Sequence, residues 1–370
     1  TQVIVYLPYR VKNPYTFLSK MPAKKQLLLL VDGHALVHRA FHAIPPLSVT
    51  RTGEPTGAVY GFASMLLKVL ADFKPTHWAM ALDSPGPTFR HKKFVEYKAH
   101  RPPAPDELKI QFARVRDLIK SFNLPSFEVP SYEADDIIGT ICKKASGQDI
   151  DILIVTGDTD TLQLVSPKVR VLTPKPGKRF SDTIIYDEAA VQQRYELSPN
   201  QLTDFKGLKG DPSDNIPGVR GIGEKTATKL IQAFGSIEGI YQHIDEVTPP
   251  KAQEALRQNE QAAQQSKELV TIDTDVPIDF DLDACRVSTY ERGKVAELFR
   301  ELEFSSLLPK LPETMVEEEK PATVEPQISG EAADYQIVDT TEAFNKVIGA
   351  LSHAESFVFD AETTSLNPRQ

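Results

Sequence analysis

Long apolar runs are missing from this chain of 370 residues. Leu27 to Val31 is as long as any, far short of the roughly 20 residues that a membrane-spanning helix needs, so no membrane partner is expected. Cysteine is nearly absent. Cys142 and Cys285 stand alone and far apart, which fits neither a disulfide framework nor a zinc site and makes a reducing cytoplasm the default setting. The first twenty residues lack the layout of a secretory leader: a basic start, an apolar core and a small-residue cleavage site in that order. They also show no clear period, and Met21 precedes a good strand, so residues 1–23 are expected to be an extension outside the fold. Basic charge is in deficit: 42 Lys and Arg against 51 Asp and Glu give a net charge of −9. Taken globally, that argues against a polyanionic partner. The charges, however, are segregated.

Acids collect where strands end. Ser131-Tyr132-Glu133-Ala134-Asp135-Asp136-Ile137-Ile138 puts three carboxylates into one helical turn ahead of an apolar run. Ser131 suits an N-cap, and acids in a first turn suit the helix dipole. That local account weakens because Asp32, Asp83, Asp158 and Asp160 each follow an apolar, strand-like run, while Asp211 and Asp214 sit in a Gly/Pro turn. A parallel sheet gathers the carboxyl ends of its strands on one edge. Carboxylates gathered there repel one another unless a cation sits among them. The set offers carboxylates, no Cys and no required His, which fits Mg²⁺ or Mn²⁺. Phosphodiester hydrolysis needs an activated water and relief of charge on the leaving oxygen, and two such ions about 4 Å apart supply both. Some of the acids would bind through water or hold the ligands in place. Asp136 has the strongest structural claim, since it lies roughly a hundred degrees around the helix from Asp135.

Strand and helix alternate through the first half. Leu27–Val31 reads as a buried parallel strand, followed by a helix through Phe41. Gly57–Phe73 has an apolar helical period, Thr76–Leu82 is a second strand and Asp106–Phe122 an amphipathic helix. Phe127–Val129 is a short strand before the acidic helix, which runs to Ala145. Asp151–Val155 is the third strong strand, with Val169–Leu172 and Thr183–Tyr186 as shorter ones. The alternation predicts an α/β domain over residues 24–197, a mostly parallel central sheet with flanking helices. Within it, Phe89 to Arg101 holds five Lys/Arg, two His and three aromatic residues. Basic side chains grip phosphates and aromatic rings stack on bases, so this segment is the expected nucleic-acid contact. Arg39, on the helix after the first strand, is a further phosphate candidate. His34, His38 and His42 fall at helical spacing, but no neighbouring pattern supports a zinc triad.

From Ser198 the character turns helical, with Ser198-Pro199 as N-cap and first-turn proline. In Gly218-Val219-Arg220-Gly221-Ile222-Gly223-Glu224-Lys225 the glycines let backbone N–H groups approach a phosphate, the helix start adds a favourable dipole and Lys225 adds charge. No strand precedes this turn, so a dinucleotide fold fails. Flanked by helices, Gly221, Ile222 and Gly223 read as a helix–hairpin–helix that grips duplex backbone without reading sequence. Further helical patterns at 236–245, 250–272 and 290–303 complete a helical subdomain over residues 198–308. Residues 309–334, rich in Pro and Glu, read as a flexible acidic linker. Residues 335–370 resume with strand, helix and strand and open a domain too short to complete.

These motifs resemble a known family, the structure-specific 5′ nucleases (flap endonucleases and 5′→3′ exonucleases), and within it the amino-terminal nuclease part of the bacterial polymerase I group. The resemblance covers residues 24–310. It rests on Val31-Asp32-Gly33, Leu82-Asp83, Tyr132-Glu133-Ala134-Asp135-Asp136, Thr156-Gly157-Asp158-Thr159-Asp160 and Gly210-Asp211-Pro212-Ser213-Asp214-Asn215-Ile216-Pro217-Gly218. It implies a first Mg²⁺ near Asp32, Asp83, Glu133 and Asp135 and a second near Asp158, Asp160 and Asp214, with Asp136 and Asp211 in support and Mn²⁺ as a substitute. It implies that Arg90, Lys98 and Arg101 lie in or beside a helical arch that a 5′ strand threads, with Lys98 facing the scissile phosphate. The Gly221–Gly223 turn would bind downstream duplex together with K⁺. The implied substrates are 5′ flaps, nicks and RNA primers on DNA, cut by a monomer in the bacterial cytoplasm, at the nucleoid. Phe359-Asp360-Ala361-Glu362-Thr363 resembles the first motif of a 3′→5′ exonuclease domain, of which residues 335–370 would be a truncated start. Two rivals stand beside this reading. A non-catalytic branched-DNA-binding module would not need the carboxylates, and a small-molecule phosphatase would need neither the hairpin nor the basic segment.

Overall fold

The computed structural model describes residues 3–5, 26–175, 180–287, 290–312, 336–338 and 340–351. In chain order its elements begin with β1 (Val3–Val5), β2 (Gln26–Asp32), α1 (Gly33–Ala43), α2 (Gly57–Phe73), β3 (His77–Leu82), α3 (Phe89–Lys93), α4 (Asp106–Ser121), β4 (Ser126–Glu128), α5 (Ala134–Ala145) and β5 (Ile150–Val155). They continue with β6 (Val169–Pro174), β7 (Thr183–Tyr186), α6 (Glu188–Tyr195), α7 (Leu202–Lys209), α8 (Glu224–Phe234), α9 (Ile237–Gln242), α10 (Pro250–Gln258), α11 (Glu260–Val270), α12 (Arg292–Glu301), β8 (Gln336–Val338) and α13 (Thr341–Leu351). These fall into two compact units, Lys24–Glu317 and the combination of Thr1–Ala23 with Glu318–Gln370.

The larger unit is built on a six-stranded sheet of order β4-β3-β2-β5-β6-β7. The first five strands run parallel, and β7 closes one edge antiparallel to β6. Strand side chains alternate between faces, and β2 shows what that does to an unbroken apolar run. Leu28 and Leu30 enter one core with Ile152, Ile154 and the apolar side of α5. Leu29 and Val31 enter another with Trp78, Met80 and side chains of α1, α2 and α4. A strand covered on both faces needs apolar residues at every position. In register, Val31 lies opposite Val155 and Asp32 opposite Ala81. The residues just past these strand ends, Asp83 and Thr156, therefore emerge beside Asp32.

Beyond β7 the unit is helical. The helix α6 is absent from the sequence expectations because it buries only Val191 and so shows no apolar period. The single pattern expected over 250–272 is two helices, α10 and α11, separated at Asn259. Between α7 and α8 the chain doubles back, and Gly210 and Gly218 close on each other with φ of 78° and 60°. A Cβ on Gly218 would stand 2.2 Å from the Gly210 nitrogen, so glycine is required there. Phe304, Leu307 and Leu311 are buried in the core that holds α2 and α4. The packed unit thus runs past residue 308, and the expected linker start at 309 is corrected. Residues 313–335 lie outside the described residues.

In the smaller unit β1 pairs antiparallel with β8, with Ile4 opposite Ile337, and α13 follows with the Thr340 hydroxyl accepting from the Ala343 N–H at 3.2 Å. Residues 1–23, expected as an extension outside the fold, fall outside the larger unit, although Val3–Val5 pairs with β8. The strand expected at Ser356 and the Asp360/Glu362 motif lie outside the described residues. Among the described residues no helix is long and apolar enough to cross a membrane.

A candidate metal centre at the strand ends

Asp32 ends β2 and caps α1. One carboxylate oxygen accepts from the Ala35 N–H at 2.9 Å and the other from the Thr156 hydroxyl at 2.7 Å. Asp83 follows β3; its N–H donates to His34 Nδ1 at 3.0 Å, and its Oδ1 accepts from the Ala134 N–H at 2.7 Å. Glu133, not Ser131, is the N-cap of α5, because Ser131 turns through the left-handed region at φ 71°. After β5 the acid loop is self-braced. The Asp158 N–H donates to Thr156 Oγ1, and the Asp160 N–H donates to Asp158 Oδ1, each at 3.0 Å.

Seven acids line two cavities. The larger, about 350 Å³, is walled by Asp32, Asp83, Glu133, Asp135 and Asp158, together with His34, His38, Arg39, Lys98 and Arg101. The smaller, about 20 Å³, is walled by Glu133, Asp135, Asp158, Asp160 and Asp214, together with Tyr97 and Lys98. Lys98, Glu133, Asp135 and Asp158 belong to both. Among the described residues no three His, Cys, Asp or Glu side chains are drawn together tightly enough to hold one ion. The acids instead stand apart around the walls, several of them paired with basic side chains.

Those pairs come largely from the basic segment. Lys98 Nζ donates to Glu133 Oε1 at 2.7 Å and stands 3.6 Å from Asp214 Oδ2, while its backbone N–H donates to the Asp214 carbonyl at 2.9 Å. Arg101 donates to Asp214 Oδ1. The Tyr97 phenol lies 3.0 Å from both Glu133 Oε2 and Asp214 Oδ2. On the other side Lys206, from α7, bridges Asp160 and Asp211. Tyr97, Thr156 and Lys206 were absent from the sequence-derived candidates. Tyr97 adjoins Lys98, and Thr156 opens the Gly-Asp-Thr-Asp motif, so both lay beside a visible signal. Lys206 had none.

Arg90 changes role, while the two supporting acids, Asp136 and Asp211, hold protein groups rather than standing free for a cation. Arg90, expected to contact nucleic acid, is 3% exposed. Its guanidinium donates to both oxygens of Asp136 at 2.7 and 2.8 Å, to Glu133 at 3.2 Å and to the carbonyls of Leu269 and Thr271 at 2.8 and 2.9 Å. Asp136 is wholly buried and also accepts from the N–H groups of Glu133 and Asp273, so its oxygens are filled by protein rather than free for a cation. Asp211 lines neither cavity; it accepts from the Ser213 N–H and hydroxyl and from Lys206, which makes it a brace for the turn carrying Asp214.

Burial, then the neighbouring Asp83, pushes the Asp32 carboxyl up to about 7. Burial and Asp158 do the same to Asp160, also to about 7. Asp135 is driven well above the usual carboxylate range by burial and then by Asp32, Asp158 and Asp160. Its Oδ1 is buried with no hydrogen-bond partner. An orphaned buried carboxylate oxygen among acids that resist ionising together is what a site for added positive charge looks like. The donors are all hard oxygens, so the residues fit divalent Mg²⁺ or Mn²⁺.

The remaining candidates divide. Arg39 stands at the rim of the larger cavity beside His38 and His42. Lys225 is on the first turn of α8, and Gly221 and Gly223 face open space. Ile222 is 4% exposed and its N–H donates to the Val219 carbonyl at 3.0 Å, so it anchors the turn rather than offering a contact. His34 stacks on Phe112 at 4.5 Å, and His38 tilts against the same ring at 5.7 Å.

Residues 27–196 match the family model described as 5′-3′ exonuclease, N-terminal resolvase-like domain, and residues 197–293 match the one described as 5′-3′ exonuclease, C-terminal SAM fold. The DNA polymerase I of Chloroflexus aurantiacus is 42% identical over 370 residues, covering 92% of this chain and 39% of that protein. The DNA polymerase I of Bacillus caldotenax is 45% identical over 297 residues, covering 80% and 34%. The chain therefore spans between 34% and 39% of the length of these two relatives. Among solved structures, a flap endonuclease of bacteriophage T5 in complex with DNA and metal ions aligns with a TM-score of 0.55 at 22% identity, over 75% of this chain and 100% of that one. The catalytic core of Rad2 in complex with DNA substrate aligns with a TM-score of 0.53 at 15% identity, over 78% and 93%. These two share the fold. With both family models matched in sequence, end to end across the acid loops and the helical hairpin, the chain belongs to the 5′-3′ exonuclease family.

Proposed function

We propose that this chain is the 5′-nuclease portion of a longer bacterial DNA polymerase I, acting as a monomer in the bacterial cytoplasm on 5′ flaps, nicks and RNA primers, with two Mg²⁺ ions. The observation that carries the reading is the convergence of seven carboxylates, from strand ends, a helix start and a helical-subdomain turn, on two adjoining cavities beneath a basic segment. When bound, such cations supply an activated water and relieve charge on the leaving oxygen. Asp32, Asp83, Glu133 and Asp135 would hold one ion, and Asp158, Asp160 and Asp214 the other. Lys98 lines both cavities, and its ammonium would pass from Glu133 to the scissile phosphate. Arg101 and Arg39 flank the approach of the 5′ strand. The Gly221–Gly223 turn, with Lys225 and K⁺, would hold duplex backbone through N–H groups and charge.

The test is a Mg²⁺ titration of flap, nick and RNA-primed cleavage, repeated with Mn²⁺. Asp158→Ala should abolish turnover and leave DNA binding largely intact; full retained activity would remove Asp158 from the mechanism. A chain that binds branched DNA yet cleaves with neither cation would instead be the non-catalytic module. The complete acid set argues against that alternative.

A further inference from the structure

One stretch of chain, residues 269–273, leaves the end of α11 and runs past the acid loop held by side chains. Arg90 donates to the carbonyls of Leu269 and Thr271, and the Asp273 N–H donates to Asp136 at 2.9 Å. The residues between are held by Gln163. Its amide nitrogen donates to the Val270 carbonyl at 2.9 Å, and its Oε1 accepts from the Ile272 N–H at 3.0 Å. Leu269, Thr271 and Asp273 thus bond to Arg90 and Asp136, and Val270 and Ile272 to Gln163. Gln163 is on the short helical turn Asp160–Leu164 that continues from the acid loop. Its second amide hydrogen goes to the Asp160 carbonyl at 3.0 Å. Both donors and the acceptor of this amide are therefore used, and they join the acid loop to the chain leaving α11. Nothing in the mechanism above employs Gln163.

We propose that Gln163 is a positioning residue that couples the helical subdomain to the Asp158–Asp160 loop, so that seating duplex on the helices holds these carboxylates in register. It touches neither substrate nor cation. The inference rests on the nuclease reading, and its test separates the two. Gln163→Met keeps the length of the side chain and removes all three hydrogen bonds. Thr140→Val is the control: it removes the hydroxyl that accepts from the Val276 N–H at 3.0 Å, farther along the same stretch and away from the acid loop. The measurements are kcat and KM on a 5′ flap, Mn²⁺ affinity by calorimetry without DNA, and the thermal midpoint. Gln163→Met should lower kcat roughly 10- to 100-fold at unchanged KM and weaken Mn²⁺ binding several-fold. Thr140→Val should lower the midpoint comparably and leave both readouts near wild type. Wild-type kcat and Mn²⁺ affinity in Gln163→Met would overturn the proposal, as would losses that merely track the midpoint in both variants. Should Gln163→Met not fold, Gln163→Glu retains the bond from Ile272 and withdraws both donors, and the same outcomes apply. A wild-type chain that never cleaves flaps would overturn the nuclease reading, while the Mn²⁺ titration would still report on Gln163.

Discussion

Removing the guanidinium of Arg90 probes the support beneath the acid cluster. Arg90→Met keeps much of the volume and deletes five hydrogen bonds. It leaves Asp136 wholly buried, with only the N–H groups of Glu133 and Asp273 facing its charge. Breaking one side of a buried ion pair costs about 3–5 kcal/mol, because the surviving charge is uncompensated. At roughly 2–4 °C per kcal/mol for a unit of this size, the thermal midpoint should fall by about 6–20 °C. Arg90→Met/Asp136→Leu removes both charges and should recover much of that loss. Urea unfolding of wild type, the two single variants and the double variant completes the cycle, with DNA affinity measured in parallel at two salt concentrations. The reasoning is refuted if Arg90→Met unfolds like wild type and instead binds DNA more weakly with a shallower salt dependence, the signature of a lost phosphate contact.

Three further outcomes follow from the geometry. Because Asp32 and Asp160 are raised to about 7, the folded chain keeps protons that the unfolded chain has released. Stability of the cation-free protein should therefore be full below the ordinary carboxylate range and decline as pH rises toward and through about 7; thermal midpoints that climb over that window would contradict this, and Asp32→Asn should flatten the decline. Tyr97→Phe removes the hydroxyl that lies between Glu133 and Asp214 and should reduce kcat about tenfold, equivalent to roughly 1.4 kcal/mol, with KM little changed; an unaltered kcat would show that the phenol is idle. Gly218→Ala forces a Cβ to within 2.2 Å of the Gly210 nitrogen and should destabilise the helical subdomain by more than about 2 kcal/mol, detected as faster proteolysis between α7 and α8.

Apolar runs and the acids that follow them were enough to bring these carboxylates to one edge of the sheet. Leu27–Val31 could only be a strand covered on both faces, and the Asp at its end had to emerge at the carboxyl edge. The same logic placed Asp83, Asp158 and Asp160, and the seven acids expected to hold cations all line the two cavities. What stayed hidden was direction. Arg90 lies in a segment whose composition suggests nucleic acid, but its partners sit at residues 136, 269 and 271, and no local pattern announces a bond across that separation. Lys206 was invisible for the same reason. Ile222 looked like part of an exposed turn, yet its side chain is buried, because a tight turn needs an apolar anchor as much as it needs glycine. The helix α6 escaped notice because it contributes one buried residue and so leaves no periodic trace.

The acids that line the cavities lie as far apart in the chain as Asp32 and Asp214. A ribosome partway through the message has therefore made a polypeptide carrying isolated negative charges and no enclosed cavity. Only when the turn bearing Asp214 has emerged and docked does the smaller cavity have all of its walls. The pocket is thus a late product of synthesis, which one built from a contiguous motif would not be.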